Sequence, residues 1–287
     1  MRALILGGGG QIGRALAGGV PEGCEAIALA RADCDVGDEG AVRSAVRAVR
    51  PDVVFNAAAY TAVDKAESEP EAARRLNAEA PGLIAAAARD AGARTVHVST
   101  DFVFGGAAEG QRRPEDPARP EGVYARTKLA GEHAVSAADP EALIVRTAWV
   151  YAPIGANFVN SMLSLMAERD EVRVVADQIG TPTWAPSLAD SLWRLALLRA
   201  GGVRHFTDSG VASWYDFAVA IAEEARETGL LEAPARIVPI ATADYPTPAR
   251  RPAFSVLDKS ATWALLGGPA PHWRVNLRAN LRTLANG

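Results

Sequence analysis

The chain has 287 residues, of which 49% are apolar and 22% charged, so it can bury a large core and is not intrinsically disordered. Its 30 Lys and Arg residues against 34 Asp and Glu residues give a net charge of −4, which excludes the basic surface of a nucleic-acid-binding protein. No apolar run reaches the ~18 residues of a membrane span, and the amino-terminal run is too short for a signal peptide. Neither the two cysteines nor the four histidines have disulfide-framework or metal-ligand spacing. We therefore expect a cytoplasmic, metal-independent globular protein.

Short strand-like runs alternate with helical patterns through the first half of the chain. The runs rich in Val and Ile are Ala3–Leu6, Ala26–Leu29, Asp52–Asn56, Arg94–Ser99 and Ala142–Arg146, and the amphipathic stretches are Glu39–Val49, Glu71–Ala91 and Tyr124–Ala137. This alternation predicts an α/β fold with a doubly wound parallel sheet and helices on both faces. Such a sheet binds its ligands at the carboxyl ends of the strands.

The regular alternation weakens after about residue 150. Helices are predicted at Ser187–Arg199, Trp214–Thr228 and Asn276–Ala285, with short strands at Arg173–Val175 and Ile237–Ile240 between them. Two stretches rich in Gly, Pro and charge, Gly105–Gly122 and Ala241–Pro252, are predicted to be surface loops, and the first is a candidate lid. The second half is therefore expected to form a smaller lobe packed against the first.

Glycines follow the first strand with the spacing GxxGxxG, at Gly7, Gly10 and Gly13. Glycine at these positions allows a tight turn, close approach of the backbone to a pyrophosphate, and close packing of helix on strand. The amino terminus of the following helix adds unpaired N–H groups and the positive end of a dipole. We therefore predict that residues 1–150 form a Rossmann-type dinucleotide-binding domain. Residues 151–287 are predicted to be mainly a substrate-binding lobe, and a return of the chain to the first domain is left open.

The end of the second strand bears on the choice of cofactor. NAD-binding proteins usually place an acid there, whereas this strand ends at Arg31. A guanidinium group can pair with the 2′-phosphate of NADPH, so Arg31 favours NADPH, while an ordinary surface charge would leave NADH equally acceptable. Asp35 and Val36 follow closely and are candidates for contacts with the adenine amino group and ring.

Tyr124 and Lys128 are four residues apart in a predicted helix and so share one of its faces. A nearby ammonium group lowers the pKa of a phenol from its usual ~10, which makes the pair a candidate proton shuttle for a carbonyl/alcohol couple. Thr100 lies just past the fourth predicted strand, where a hydroxyl can either cap a turn or donate to a carbonyl oxygen that gains charge.

The order of these motifs resembles that of extended short-chain dehydrogenases/reductases. Longer strings are similar to the dTDP-4-dehydrorhamnose reductase family: NAAAYTAVDKAE at 56–67, STDFVF at 99–104, YARTKLAGE at 124–132, RTAWVY at 146–151, DQIGTPT at 177–183, SWYDFA at 213–218 and RRP at 250–252. The resemblance covers residue 1 to about residue 260.

This resemblance implies NAD(P)H-dependent reduction of the 4-keto group of dTDP-4-dehydro-β-L-rhamnose to dTDP-β-L-rhamnose. It implies that Thr100 polarises the carbonyl, that Tyr124 delivers the proton, and that Lys128 tunes Tyr124 and holds the nicotinamide ribose. The remaining implied contacts are Gly10, Gln11 and Ile12 with the pyrophosphate, Asp35 and Val36 with the adenine, Ala59 and Thr61 along the cofactor, and Thr100, Asp101 and Trp149 with the sugar nucleotide. The expected partner is this small nucleotide sugar, bound by a monomer or a homodimer, with no nucleic acid, membrane or metal.

Two departures from the family pattern leave the sugar open. Phe102 stands where the family often has Tyr, and Phe254 where it has Asn. Alternatives are a 4-ketoreductase acting on another nucleotide-linked deoxysugar, a nucleotide-sugar epimerase or dehydratase, and a non-catalytic subunit like that of methionine adenosyltransferase. The complete set of Thr100, Tyr124 and Lys128 favours an enzyme, and Phe102 at the place of a second acid disfavours dehydration.

Overall fold

The computed structural model describes residues 1–106 and 110–286. Residues 107–109 of the predicted loop Gly105–Gly122, and the last residue of the chain, lie outside the described residues.

Twelve strands are numbered in chain order: β1 (Arg2–Leu6), β2 (Glu25–Leu29), β3 (Val53–Asn56), β4 (Arg94–Thr100), β5 (Leu143–Thr147), β6 (Val150–Tyr151), β7 (Glu171–Val175), β8 (Ile179–Gly180), β9 (Thr183–Trp184), β10 (Gly202–His205), β11 (Ala212–Ser213) and β12 (Arg236–Ile240). The helices are α1 (Gln11–Gly18), α2 (Glu39–Val49), α3 (Val63–Ala66), α4 (Pro70–Arg74), α5 (Ala80–Asp90), α6 (Gly122–Ala138), α7 (Phe158–Glu168), α8 (Ala185–Leu197), α9 (Trp214–Glu227), α10 (Ser260–Leu266) and α11 (Trp273–Ala285).

Six of the strands form one parallel sheet in the order β10-β5-β4-β3-β1-β2. The chain winds outward from β1 to β2 and then from β3 to β4 and β5 on the other side, so a topological switch point lies between β1 and β3. This is the predicted doubly wound parallel sheet. The five strands predicted for the first half match β1 to β5 within one residue at either end.

Both faces of the sheet are covered because its strands are apolar on both sides. Ala3 and Ile5 of β1 pack with α1 and α8 on one face, while Leu4 and Leu6 pack with α2 and α5 on the other. Trp193 of α8 donates its indole N–H to a carbonyl of α1, at 3.0 Å, which ties two helices of one layer together.

The segment predicted as one helix over Glu71–Ala91 contains a π-helical turn, Arg75–Glu79, between α4 and α5. The turn places the buried side chain of Asn77 against the backbone of Tyr60: its Oδ1 accepts from the Tyr60 N–H at 2.8 Å, and its Nδ2 donates to the Tyr60 carbonyl at 3.0 Å. Gly131 of α6 lies directly on the carbonyl of Asn77, where a side chain would collide. The widened turn thus fixes the loop after β3, as π-turns near functional sites often do.

The second half builds a smaller cluster of elements and also returns to the sheet. Strands β7 and β12 pair in parallel, and α7, α9 and α11 enclose an apolar cluster that includes Tyr151, Phe217 and Trp273. Strand β10 then joins the edge of the main sheet beside β5. The helices predicted at Ser187–Arg199, Trp214–Thr228 and Asn276–Ala285 match α8, α9 and α11 within three residues at each end. Within the described ranges, no helix is both long and apolar enough to cross a bilayer.

Candidate active site

A cavity of about 680 Å³ opens at the carboxyl ends of the parallel strands. Its walls come from the glycine turn after β1, the loops after β3, β4 and β5, the first turns of α6, and residues of the second half that include Trp214 and Arg251. This is the position that the topological switch point assigns to a ligand.

The glycine turn has the shape that a dinucleotide site requires. Gly7 has a φ of 85°, and a Cβ there would lie 2.6 Å from the amide nitrogen of Ala58, so only glycine fits. A side chain at Gly13 would strike the carbonyl of Gly7, which is why α1 can pack this close. Gly10 is the N-cap residue of α1, and no side chain forms a capping hydrogen bond with the first turn of this helix. Its neighbours Gln11 and Ile12 face the cavity. The free amides of this helix start suit a pyrophosphate.

The cavity brings together most of the residues predicted for the site. Those lining it are Gly10, Gln11, Ile12, Ala59, Thr61, Thr100, Asp101, Tyr124, Lys128 and Trp149. Gly7 and Gly13 shape the turn behind it, as described above.

Arg31, Asp35 and Val36 are not among the residues that line this cavity. Arg31 is exposed in the turn after β2. Asp35 forms an ion pair with Arg75 at 2.7 Å and accepts from the N–H of Gly37, and these two contacts hold the pKa of its carboxyl below the usual value. Val36 is buried in the core on the α2 side of the sheet. The predicted contacts at the adenine end of the cofactor therefore stay predictions.

Tyr124 lies in the first turn of α6 and lines the cavity together with Thr100, which lowers the pKa of the phenol. Burial among protein atoms raises the pKa of the phenol to about 12, although part of the residue remains exposed to the cavity. The nearby Asp101 acts in the same direction, and Phe102 packs edge-to-face on the ring with centroids 5.5 Å apart. Desolvation by burial is the largest effect on this pKa, and Lys128 is not among its causes, so the lowering by Lys128 stays a prediction. Tyr124 is consequently protonated throughout the neutral range.

Lys128 is buried one helical turn further along α6. Its ammonium group donates to the carbonyl of Val98 at 2.8 Å, and burial lowers its pKa to about 8, opposed by the negative charge of Glu132. The side chain thus stays mostly charged at neutral pH while its Nζ is held beside β4 and the cavity.

Asp101 is buried behind Thr100. The Thr100 hydroxyl donates to its Oδ1 at 3.1 Å, and Thr100 and Ser255 both lower the pKa of the carboxyl. Burial nevertheless raises the pKa of the Asp101 carboxyl to about 6. In the part of the chain that the structure describes, its Oδ2 has no hydrogen-bond partner. Among the described residues, Asp101 Oδ2 is therefore a buried acceptor without a partner, in a residue of the cavity wall.

The cavity residues outside the set assigned from the sequence include Arg14, Trp214 and Arg251. The strings SWYDFA and RRP contain two of them, but only the fold shows that they reach the cavity. Arg251 forms a two-pronged ion pair with Asp64 of α3, at 2.7 and 3.1 Å, which joins the second half of the chain to the loop after β3. Arg251 and Trp214 also line a second cavity, of about 860 Å³, between α7 and the β7–β12 pair.

A doubly wound sheet, a glycine turn at its switch point and a Thr–Tyr–Lys group on one cavity wall define a short-chain dehydrogenase/reductase of the extended type. Comparison with known proteins narrows this class. The model of the family described as RmlD substrate binding domain matches residues 1–286.

A dTDP-4-dehydrorhamnose reductase of Burkholderia thailandensis is 42% identical over 295 residues, covering 99% of each chain. Among solved structures, the dTDP-4-dehydrorhamnose reductase of Clostridium acetobutylicum has a TM-score of 0.92 and 38% identity, over 99% of each chain. That of Bacillus anthracis, in complex with NADP, has a TM-score of 0.91 and 32% identity, over 97% of this chain and 98% of the other. The chain belongs to the dTDP-4-dehydrorhamnose reductase family.

Proposed function

We propose that this protein reduces the 4-keto group of dTDP-4-dehydro-β-L-rhamnose to the alcohol of dTDP-β-L-rhamnose, with a nicotinamide cofactor as hydride donor. The observation that carries the proposal is the placement of the Thr100 and Tyr124 side chains on the wall of the same cavity. Such a pair can bind one carbonyl oxygen, and the family to which the chain belongs supplies the substrate class.

The glycine turn and its surroundings fit a dinucleotide. Gly10, Gln11 and Ile12 would hold the pyrophosphate, Ala59 and Thr61 would line the middle of the cofactor, and Lys128 would hold the nicotinamide ribose. The bound cofactor supplies a hydride to the carbonyl carbon, which leaves the protein to stabilise the oxygen and deliver a proton.

Proton delivery follows from the electrostatics of Tyr124. When a hydride adds to the carbonyl carbon, the oxygen becomes a strongly basic alkoxide. A phenol with a pKa of about 12 is protonated at neutral pH and able to give its proton to that alkoxide. The Thr100 hydroxyl stabilises the charge on the same oxygen. Asp101 and the indole of Trp149, which both line the cavity, would contact the sugar.

The substrate's nucleotide end is assigned to the second half of the chain, residues 151–287, and the cofactor to residues 1–150. Arg251 stands where the two cavities meet, with its guanidinium oriented by Asp64. A diphosphate linking a sugar in the first cavity to a nucleoside in the second would lie beside the positively charged guanidinium of Arg251. Guanidinium groups bind phosphate oxygens well.

NADPH is the proposed preference over NADH. The strand β2 ends next to Arg31 rather than an acid, and Arg14 adds a second positive charge beside the glycine turn, where it donates to the Gly9 carbonyl at 3.0 Å. Arg31→Glu is expected to raise the KM for NADPH more than the KM for NADH. Equal effects on the two cofactors would show that Arg31 does not bind the 2′-phosphate.

The function is tested by mixing the protein with dTDP-4-dehydro-β-L-rhamnose and either cofactor and following the absorbance of the reduced nicotinamide. Consumption is expected with the wild type and to fall by about 10²–10⁴ in kcat for Tyr124→Phe, because general acid catalysis is lost. Tyr215→Phe, a phenol of α9 that lines neither cavity, is the matched control. No consumption by the wild type with either cofactor refutes the proposal, and turnover of a different 4-keto sugar instead would reassign the substrate.

A further inference from the structure

Trp149 has an unusual backbone conformation. Its φ is 48°, in the left-handed region, which a large side chain adopts only when its surroundings enforce it. The residue follows β5 by two positions, and Thr147 at the end of β5 lies opposite Thr100 in the sheet. Its own carbonyl accepts from the N–H of Thr183 at 3.1 Å. The backbone is thus fixed where the indole reaches the wall of the first cavity.

Gly180 makes room for that indole. A Cβ at Gly180 would lie 2.6 Å from Cε2 of Trp149, so any side chain there would displace the ring. Gly180 pairs with Ala212 across β8 and β11, and the chain then enters α9 two residues later. The start of α9 is fixed by Ser213, whose hydroxyl caps the helix while its N–H is bound by a carboxylate of the first turn.

The first residue of α9, Trp214, stacks on Trp149. The two ring centroids are 3.6 Å apart and the planes differ by 8°, and Phe158 supports Trp214 from α7 with centroids 4.6 Å apart. Both indoles line the first cavity, and Trp214 also lines the second. The Trp149–Trp214 stack is therefore a rigid aromatic wall built from two separate segments of the chain.

We propose that Trp214 and Gly180 are positioning residues for the nucleotide sugar: the stacked ring of Trp214 and the missing side chain at Gly180 hold the indole of Trp149 against the bound sugar ring. The inference rests on the proposed function, because the sugar is the ligand that Trp149 is taken to contact. Neither positioning residue takes part in proton transfer, which belongs to Tyr124 and Thr100. Their loss should weaken binding of the sugar nucleotide and leave the chemical step nearly intact.

The test uses protein labelled with 5-fluorotryptophan, whose six tryptophans give separate ¹⁹F resonances, with the Trp149 line assigned by Trp149→Phe. Trp214→Leu and Gly180→Ala are expected to move the Trp149 line, because a stacked ring shifts the resonance of its neighbour. Both variants should also raise the KM for the sugar nucleotide about tenfold, with kcat within about threefold of the wild type. Trp214→Phe, which keeps an aromatic ring, should restore most of the affinity.

Trp263→Leu is the control, because this indole lies on α10 and lines neither cavity. It should leave both the Trp149 line and KM unchanged. The inference is overturned if Trp214→Leu and Gly180→Ala leave the Trp149 line in place, or if they move it while KM stays within twofold of the wild type. Failure of the proposed function is a separate result: the wild type itself would oxidise no cofactor with this substrate, whatever the position of the Trp149 line.

Discussion

Replacing Glu132 by Gln tests the buried charge network behind the active site. Glu132 and Arg146 form an ion pair at 2.7 Å with side chains only 3% and 6% exposed. Ser99 donates to the same carboxylate, and the guanidinium of Arg146 also donates to the Pro114 carbonyl at 3.1 Å and lies 4.9 Å from the ring centroid of Phe104. Glu132→Gln keeps the shape of the side chain and removes its charge, so Arg146 is left buried without a counter-ion.

The expected loss is about 3–5 kcal/mol of unfolding free energy, the usual cost of leaving one partner of a buried pair uncompensated. For a chain of this size, each kcal/mol lowers Tm by about 2–4 °C, so a fall of roughly 6–20 °C should follow. Arg43 provides the contrast: it pairs with Glu39 and Asp90 at the surface, where screening by solvent leaves such pairs little net stabilisation.

Urea unfolding followed by circular dichroism measures the difference between Glu132→Gln and Arg43→Ala. The double variant Glu132→Leu, Arg146→Met should recover most of the loss, because an apolar pair of similar volume needs no counter-ion. If Glu132→Gln lowers the free energy of unfolding no more than Arg43→Ala does, water solvates the charge of Arg146 and the ion-pair network is not closed to solvent.

Three further outcomes are expected. The kcat/KM of the wild type should fall as the pH rises through about 8, because the Lys128 ammonium is present below this pKa and lost above it, while Lys128→Arg should keep a flat profile in this range. Gly13→Ala should abolish cofactor binding measured by fluorescence titration, whereas Gly18→Ala in the same helix, with open space around it, should leave the affinity unchanged. Asp64→Asn should raise the KM for the sugar nucleotide by up to about fivefold, since the partly exposed pair orients Arg251; an unchanged KM would remove Arg251 from the binding site.

The sequence predicted those parts of the fold that depend on local pattern. Helix α2 begins and ends where the pattern places it because Asp38 caps its first turn and Arg50 closes it in a left-handed conformation. Strands β6, β8, β9 and β11 have two residues each, and their pairing depends on contacts between distant segments. The π-turn before α5 is likewise set by a tertiary contact of Asn77, which no local periodicity reveals.

In the candidate site, too, some features follow from the local sequence pattern and others depend on tertiary contacts. Helical spacing places Tyr124 and Lys128 on one face, and both line the cavity. The direction of the Tyr124 pKa shift could not be predicted from the sequence, because it depends on how many atoms surround the ring rather than on which charged residue is one turn away. Arg251 and Trp214 are separated from the glycine turn by two hundred residues or more, so only the folded chain brings them to it.

The position of β10 limits how this protein can be divided. Residues 202–205 complete the sheet beside β5, whose five residues are all buried. A fragment cut after residue 150 would leave β5 as an unpaired, apolar edge strand, and such strands promote aggregation. Chimeras that exchange the two halves between relatives must therefore keep β10 together with the amino-terminal half. The two halves of this enzyme share one sheet and are not independently folding units.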